Sequence, residues 1–143
     1  MSRERSNARR RALQALYQWQ MTGQNLGDIE TQFLQEEDMA KTDLDYFKEL
    51  LHQIPKHITD LEAHCLPHVT RPMEQIDPVE RAALLIGLYE LQFRLDVPYR
   101  VAINEAVELA KTFGAEQGHK FVNGLLDKVA KQLRAAEFNA KSK

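Results

Sequence analysis

The sequence contains few of the residues on which disulfide bonding and nucleophilic catalysis depend. Its one cysteine, Cys65, excludes an intramolecular disulfide and a zinc site built from several cysteines. The three serines, Ser2, Ser6 and Ser142, lie near the chain ends, where a serine nucleophile is not expected. The six glycines are scattered and form no phosphate-binding loop, so no cofactor is predicted. We therefore expect a protein that is not an enzyme.

Long apolar runs are also missing. No stretch approaches the roughly 20 apolar residues of a membrane-spanning helix. The arginine-rich start is not followed by the apolar segment of a secretory signal. With 43% apolar and 28% charged residues among 143, the composition is that of one globular domain, and we expect it in the cytoplasm without membrane contact.

Charge is distributed unevenly, although the formal net charge is only -2. Residues 1–11 contain five arginines and one glutamate, and residues 128–143 contain five basic residues and one glutamate. The rest of the chain is acidic. This distribution favours one surface for phosphates and another for a basic protein, although solvated charged ends would give the same pattern.

The spacing of apolar residues predicts helices throughout and no strands. Residues 97–128 form a pair of helices, the first beginning at Pro98 and ending at Gly114 with a left-handed cap. Asp77, with Pro78 after it, marks the start of another helix, which is apolar around most of its circumference. Pro55 is expected to kink a helix without ending it. We predict an all-α fold of about six or seven helices.

Three histidines and the cysteine lie close together in the sequence, at His57, His64, Cys65 and His68. Pro67 interrupts the helical spacing before His68, and no carboxylate completes the set. We therefore predict polar or partly buried histidines and no metal site.

The first helix, from about Arg3 to Gln20, has two distinct faces. The core face carries alanines, Leu16 and Trp19, whereas Arg3, Arg10 and Tyr17 lie on the opposite face. An outward aromatic ring beside guanidinium groups can stack a base while the cations hold phosphates. The alternative is that Tyr17 packs under a neighbouring helix with only its hydroxyl exposed.

Phe121 is a second candidate for base stacking. It projects about 100° from the apolar stripe of the last long helix, onto a flank shared with Gln117 and Lys128. Gly124 lies one turn along and leaves room for a flat group. The alternative is that Phe121 fills a gap between subdomains.

Three segments together resemble the NusB family of bacterial transcription antitermination factors. They are residues 98–128 (PYRVAINEAVELAKTFGAEQGHKFVNGLLDK), residues 80–91 (ERAALLIGLYEL) and residues 8–20 (ARRRALQALYQWQ). The resemblance covers essentially the whole chain. A similar domain precedes the catalytic domain of some RNA cytosine methyltransferases, but this chain is too short for that domain, so the separate factor is the expected match.

The resemblance implies a single domain over residues 1–143, made of two perpendicular helical subdomains. Their expected bounds are about 1–70 and 71–137, with a basic tail at 138–143. It also implies recognition of boxA RNA together with the ribosomal protein NusE. The complex would join RNA polymerase and other Nus factors in ribosomal RNA transcription. Some relatives dimerise, so a homodimer stays open.

The resemblance also identifies expected site residues. Glu74 and Glu80 match acidic positions that face the ribosomal partner. Gln117 and Gly118 stand where relatives often have an aspartate and a serine, and His68 stands where a tyrosine can occur. The expected RNA-binding residues are Arg3, Arg9, Arg10, Tyr17, Gln117, Lys120 and Phe121.

Two other functions stay open at this point. The chain could be a protein-binding helical scaffold whose basic ends are only solubilising. It could also be an enzyme that uses Cys65 with a neighbouring histidine, although an apolar helical setting favours an inert thiol.

Overall fold

The computed structural model describes residues 2–141, in which no strand occurs. This confirms the predicted all-α class, with slightly more helices than the expected six or seven. No helix of the described residues is long and apolar enough to cross a membrane. The described chain contains the helices α1 (Arg3–Thr22), α2 (Leu26–Glu36), α3 (Leu44–Lys56), α4 (Ile58–Ala63), α5 (Pro78–Phe93), α6 (Tyr99–Phe113), α7 (Gly118–Leu133) and α8 (Ala135–Lys141). Two short 3₁₀ turns, at Leu66–His68 and Met73–Gln75, lie between α4 and α5.

Helices α5 and α6 begin where the sequence predicted, after Asp77 and Pro98. The Asp77 carboxylate accepts hydrogen bonds from the N–H groups of Val79 and Glu80, both at 3.1 Å. These groups have no partner inside the helix, so the cap stabilises its first turn. Pro98 directly precedes α6, where its fixed φ suits a helix start.

The prediction of a left-handed cap at Gly114 was wrong. Its φ of -102° and ψ of -176° are extended, and its N–H still donates to the Ala110 carbonyl. The left-handed cap is at the end of α1, where Gly23 has φ 67°. A glycine suits position 114 for a steric reason, because a Cβ there would lie 2.8 Å from the Ala110 carbonyl oxygen.

The prediction that Pro55 would only kink its helix was also wrong. Helix α3 ends at Lys56, and α4 begins at Ile58. Proline has no N–H to donate to the preceding turn, so the end of α3 is weakened. The His57 N–H then closes the helix on the carbonyls of Gln53 and Ile54, at 3.0 and 3.2 Å.

Two compact units make up the described chain, and the boundary lies after His57. The bounds expected from the resemblance put it near residue 70. The reason for the difference is an ion pair that joins α4 to α5, in which the Arg81 guanidinium donates to both carboxylate oxygens of Glu62, at 2.6 and 2.8 Å. Residues 58–70 therefore pack with the C-terminal helices.

The expected basic tail at 138–143 needs a similar correction. Helix α8 includes residues 138–141, and Ser142 and Lys143 lie outside the described residues. The Phe138 ring lies 5.1 Å from the Tyr99 ring, centroid to centroid. The start of the expected tail is therefore part of a helix that packs against the start of α6.

Unit 1, up to His57, is formed by α1 packed on α2 and α3. The face of α1 that packs inward carries three alanines with no exposed surface, as predicted. Small side chains let the helices approach closely. The aromatic rings of Phe33 and Phe47 meet between α2 and α3 with centroids 5.9 Å apart.

Unit 2, from Ile58, is organised around α5, which packs against α4, α6 and α7. Its residues 82–91 are buried without interruption. This confirms the central position predicted from its all-round apolar sequence.

A buried guanidinium closes unit 2. The Arg134 side chain, which follows α7, is 6% exposed and donates hydrogen bonds to four main-chain carbonyls. Two of the carbonyls belong to Glu90 and Leu91 in the last turn of α5. Its remaining contact is an ion pair with Glu137 at 2.7 Å, and the same Glu137 carboxylate accepts from the Tyr99 N–H at the start of α6. Arg134 and Glu137 together thus join the end of α7 to α5, α6 and α8.

Replacing Arg134 by methionine should therefore cost at least about 3 kcal/mol of unfolding free energy, since buried carbonyls would lose their donors. Arg134→Lys should also be destabilising, because an ammonium cannot reproduce the planar set of donors. Chemical denaturation measures both. Gln132→Ala, an exposed neighbour, is the control and should change stability little. An Arg134→Met protein as stable as the control would contradict the proposed closing role.

Candidate nucleic-acid interface

Three of the five N-terminal arginines hold unit 1 together. The guanidinium carbon of Arg5 lies 4.4 Å from the centroid of the Tyr46 ring, and that of Arg9 lies 5.6 Å from the same ring. Arg11 forms an ion pair with Glu37 at 3.0 Å. These contacts join α1 to α3 and to the loop before it, so they are structural cation–π and ionic contacts.

The expectation that Arg9 binds RNA is corrected by its burial. Its side chain has no exposed surface, so it offers no donor to a phosphate in this conformation. The sequence did contain a signal for this, because Arg9, Leu13 and Leu16 have i, i+4 and i+7 spacing, and both leucines are buried. Arg9 lies on the margin of the core stripe.

Arg3 and Arg10 are exposed, and they share one face of α1 with Tyr17. Tyr17 is 39% exposed, so the prediction that it lies outside the core is confirmed. Met21, four residues further on, is 58% exposed and extends this face. Spacings of seven residues place the three predicted residues along about 21 Å of helix. The RNA-binding role of the stripe stays a prediction.

A polar concavity of about 570 Å³ lies at the start of α1. Its cationic members include Lys41, which the sequence did not suggest because it lies far from α1 along the chain. The Asn7 amide donates to the Lys41 carbonyl at 2.9 Å, which joins the loop to the helix. The concavity is lined by Ser2, Arg3, Ser6, Asn7, Arg10 and Lys41.

The predicted α7 residues lie on unit 2. Gln117 and Lys120 are exposed, and Phe121 is half-buried. A Cβ added at Gly124 would have no atom within 4 Å, so the backbone is open there. That Gln117, Lys120 and Phe121 contact RNA stays a prediction.

A second concavity, of about 310 Å³, lies between α6, α7 and α8. Its lining includes both Arg100 and Asp127, so it offers a phosphate no uniformly positive surface. The lining residues are Tyr99, Arg100, Ile103, Asn104, Asn123, Asp127 and Phe138.

The two predicted partner-binding acids differ in their surroundings. Glu74 is exposed, whereas Glu80 is half-buried and lies against Gly118. A Cβ added at Gly118 would lie 2.6 Å from the Glu80 Oε2 atom, so glycine gives the carboxylate its space. Burial raises the pKa of Glu80, the nearby Asp77 charge raises it further, and Arg71 opposes this.

Cys65 does not have the properties of a nucleophile. It is fully buried, and burial together with the charge of Glu62 raises the pKa of its thiol to about 12. The reactive thiolate is therefore disfavoured at neutral pH. His64 is engaged by the Gln92 amide at 2.8 Å, and no group of three or more metal-ligating side chains is found in the described residues. The hypothesis of Cys65 catalysis has no support in this geometry.

The comparisons with known proteins agree with one another. The NusB family model matches residues 6–131. The transcription antitermination protein NusB of Shewanella pealeana is 56% identical over 126 residues, which cover 88% of this chain and 93% of that protein. The protein of the same name from Teredinibacter turnerae is 56% identical over 137 residues, 95% of this chain and 93% of that protein.

Solved structures show the same similarity. A crystal structure of the antitermination factors NusB and NusE in complex with double-stranded RNA matches with a TM-score of 0.82 and 30% identity, covering 92% of this chain and 98% of that one. NusB of T. maritima also matches with a TM-score of 0.82, at 28% identity, over 97% of this chain and 99% of that one.

The raised pKa of Glu80 predicts a pH-dependent effect on stability. The folded state binds this proton more tightly than the unfolded state, so the free energy of unfolding falls as pH rises above the usual carboxyl pKa of 4.5. At pH 7, Glu80→Gln should be at least as stable as the unchanged protein, and the difference should close near pH 4. Thermal denaturation at both pH values measures this, with Glu74→Gln as the exposed control. A variant that is clearly less stable at pH 7 would contradict the assignment.

Proposed function

The chain belongs to the NusB family, and we propose that it acts as a transcription antitermination factor by binding boxA-type RNA together with the ribosomal protein NusE. The observation that carries this proposal is the exposed stripe of Arg3, Arg10 and Tyr17 on α1. It combines phosphate-binding cations with an accessible aromatic ring in a chain similar to an RNA-bound NusB.

The chemistry of this stripe suits single-stranded RNA. Guanidinium groups bind phosphate oxygens through charge-assisted hydrogen bonds, which fix the strand but read no sequence. Unpaired bases can stack on Tyr17, and Phe121 on unit 2 is the second proposed stacking residue. Gln117 and Lys120 would supply polar and ionic contacts beside Phe121.

The partner surface has the opposite charge. Glu74 and Glu80 flank the start of α5, and we propose that they receive basic side chains of NusE. A cation beside Glu80 would lower its raised pKa and compensate for its burial. Because binding free energies are reciprocal, a partner that strengthens RNA binding is itself bound more tightly when RNA is present.

The wider assembly is part of the same proposal. The complex with NusE and RNA would join RNA polymerase and other Nus factors in the cytoplasm and support ribosomal RNA transcription. Its action would be binding and not catalysis, which the buried, high-pKa thiol of Cys65 supports. Homodimerisation through the same surfaces would compete with these partners.

One observation favours a second function, that of a protein-binding scaffold without specific RNA recognition. Arg5, Arg9 and Arg11 make contacts within unit 1. The number of arginines in the sequence is therefore larger than the number available to bind RNA. A scaffold would keep its affinity for NusE after residues 1–7 are removed, and it would not distinguish boxA RNA from a scrambled sequence.

Tyr17→Ala should weaken binding to a labelled boxA-like RNA by about 5- to 150-fold, since base–aromatic stacking is worth about 1–3 kcal/mol. Tyr17→Phe keeps the ring and should bind nearly normally. Fluorescence anisotropy with a scrambled RNA as control measures selectivity, with and without NusE. Because Tyr17 is partly exposed, the melting temperature should change little. Equal binding of both RNAs in every mixture would reject the proposal.

The partner surface has its own test. The double variant Glu74→Gln, Glu80→Gln should lose affinity for NusE in calorimetric titration, because two charges facing a basic partner are removed. Its affinity for RNA alone should be unchanged. The matched control, Glu105→Gln with Glu108→Gln on α6, removes the same charge elsewhere and should bind NusE normally. If control and test variants lose affinity equally, only net charge matters and the assignment is wrong.

A further inference from the structure

We propose that the concavity at the start of α1 binds the RNA backbone through its phosphates, with Lys41 of the α2–α3 loop as its third cation. This inference rests on the proposed function and adds to it a site on a different element. Lys41 would be a direct phosphate ligand, and Asn7 would position it.

The charges of the lining favour an anion. Arg3, Arg10 and Lys41 are exposed, and no carboxylate lines the concavity. Among the described residues none of these three cations forms an ion pair, in contrast to Arg11, which is paired with Glu37. Their positive charge is therefore available to a ligand.

The loop that carries Lys41 is attached to α1 at several points. Besides the bond from the Asn7 amide to the Lys41 carbonyl, the Asp43 N–H donates to the Glu4 carbonyl at 3.0 Å. The Arg11 guanidinium, ion-paired with Glu37, also donates to the Asp38 carbonyl at 3.4 Å. These contacts hold the Lys41 backbone beside Arg3 and Arg10 before a ligand arrives, which reduces the entropy lost on binding.

The lining also indicates which part of the RNA binds there. It contains no aromatic ring on which a base could stack, and its neutral members are hydroxyl and amide groups. Such groups, together with arginine and lysine, are typical contacts to phosphate and sugar. The volume of about 570 Å³ suits a length of backbone better than one small anion. We therefore expect affinity without sequence preference here, and sequence preference from the stacking residues.

Lys41→Gln tests this through the salt dependence of RNA binding. Each phosphate contact to a single strand contributes about 0.7 to the slope of log K against log salt. The variant should therefore show a slope shallower by about 0.7. Its affinities for boxA-like and scrambled RNA should fall by the same factor. Asn7→Ala should give a smaller change in the same direction. Tyr17→Ala should lower affinity for boxA-like RNA without changing the slope.

Lys56→Gln is the matched control, because it removes the same charge from an exposed position of unit 1 outside the concavity. Its slope should equal that of the unchanged protein. An unaltered slope for Lys41→Gln, or an equal change in Lys56→Gln, would overturn the inference while leaving RNA recognition intact. If the unchanged protein fails to prefer boxA-like RNA, the proposed function fails, and the slopes on scrambled RNA still decide whether Lys41 contacts phosphate.

Discussion

Unit 2 depends on the burial of one guanidinium group. Helix α5 is buried along residues 82–91, so the carbonyls at its end cannot rely on water. Arg134 provides their donors from after α7, and Glu137 balances its charge while binding the start of α6. A buried charge is tolerated only when it is paired and hydrogen-bonded, and this one is both. The exposed face of α7 is positioned by this arrangement.

The same residue type has two different uses in this protein. Arg5, Arg9, Arg11 and Arg134 stabilise the fold, through ring contacts, ion pairs and carbonyl hydrogen bonds. Arg3 and Arg10 are exposed and remain available to a ligand. A count of basic residues therefore overestimates the surface that RNA could use. Lys41 partly compensates, because the loop brings a cation to α1 from elsewhere in the chain.

Glu80 illustrates how a residue proposed to bind a partner can act against stability. Its half-buried carboxylate has a raised pKa, so its charged form is disfavoured in the free protein. Gly118 leaves the space that this side chain occupies. A basic partner would stabilise the charged carboxylate of Glu80. The free energy that this charge costs in the unbound protein would then be recovered on binding and would strengthen the affinity.

The sequence by itself determined the all-α class, the starts of α5 and α6 and the central place of α5. Helical periodicity and capping depend on residues within a few positions of one another, so these features can be predicted from the sequence alone. Tertiary structure decided that Arg9 is buried while Arg10 is exposed, that the unit boundary follows His57, and that Lys41 lies beside Arg3. The direct contacts behind these features join residues distant in sequence, such as Arg9 with Tyr46, Glu62 with Arg81 and Asn7 with Lys41. Only folding brings such pairs within reach.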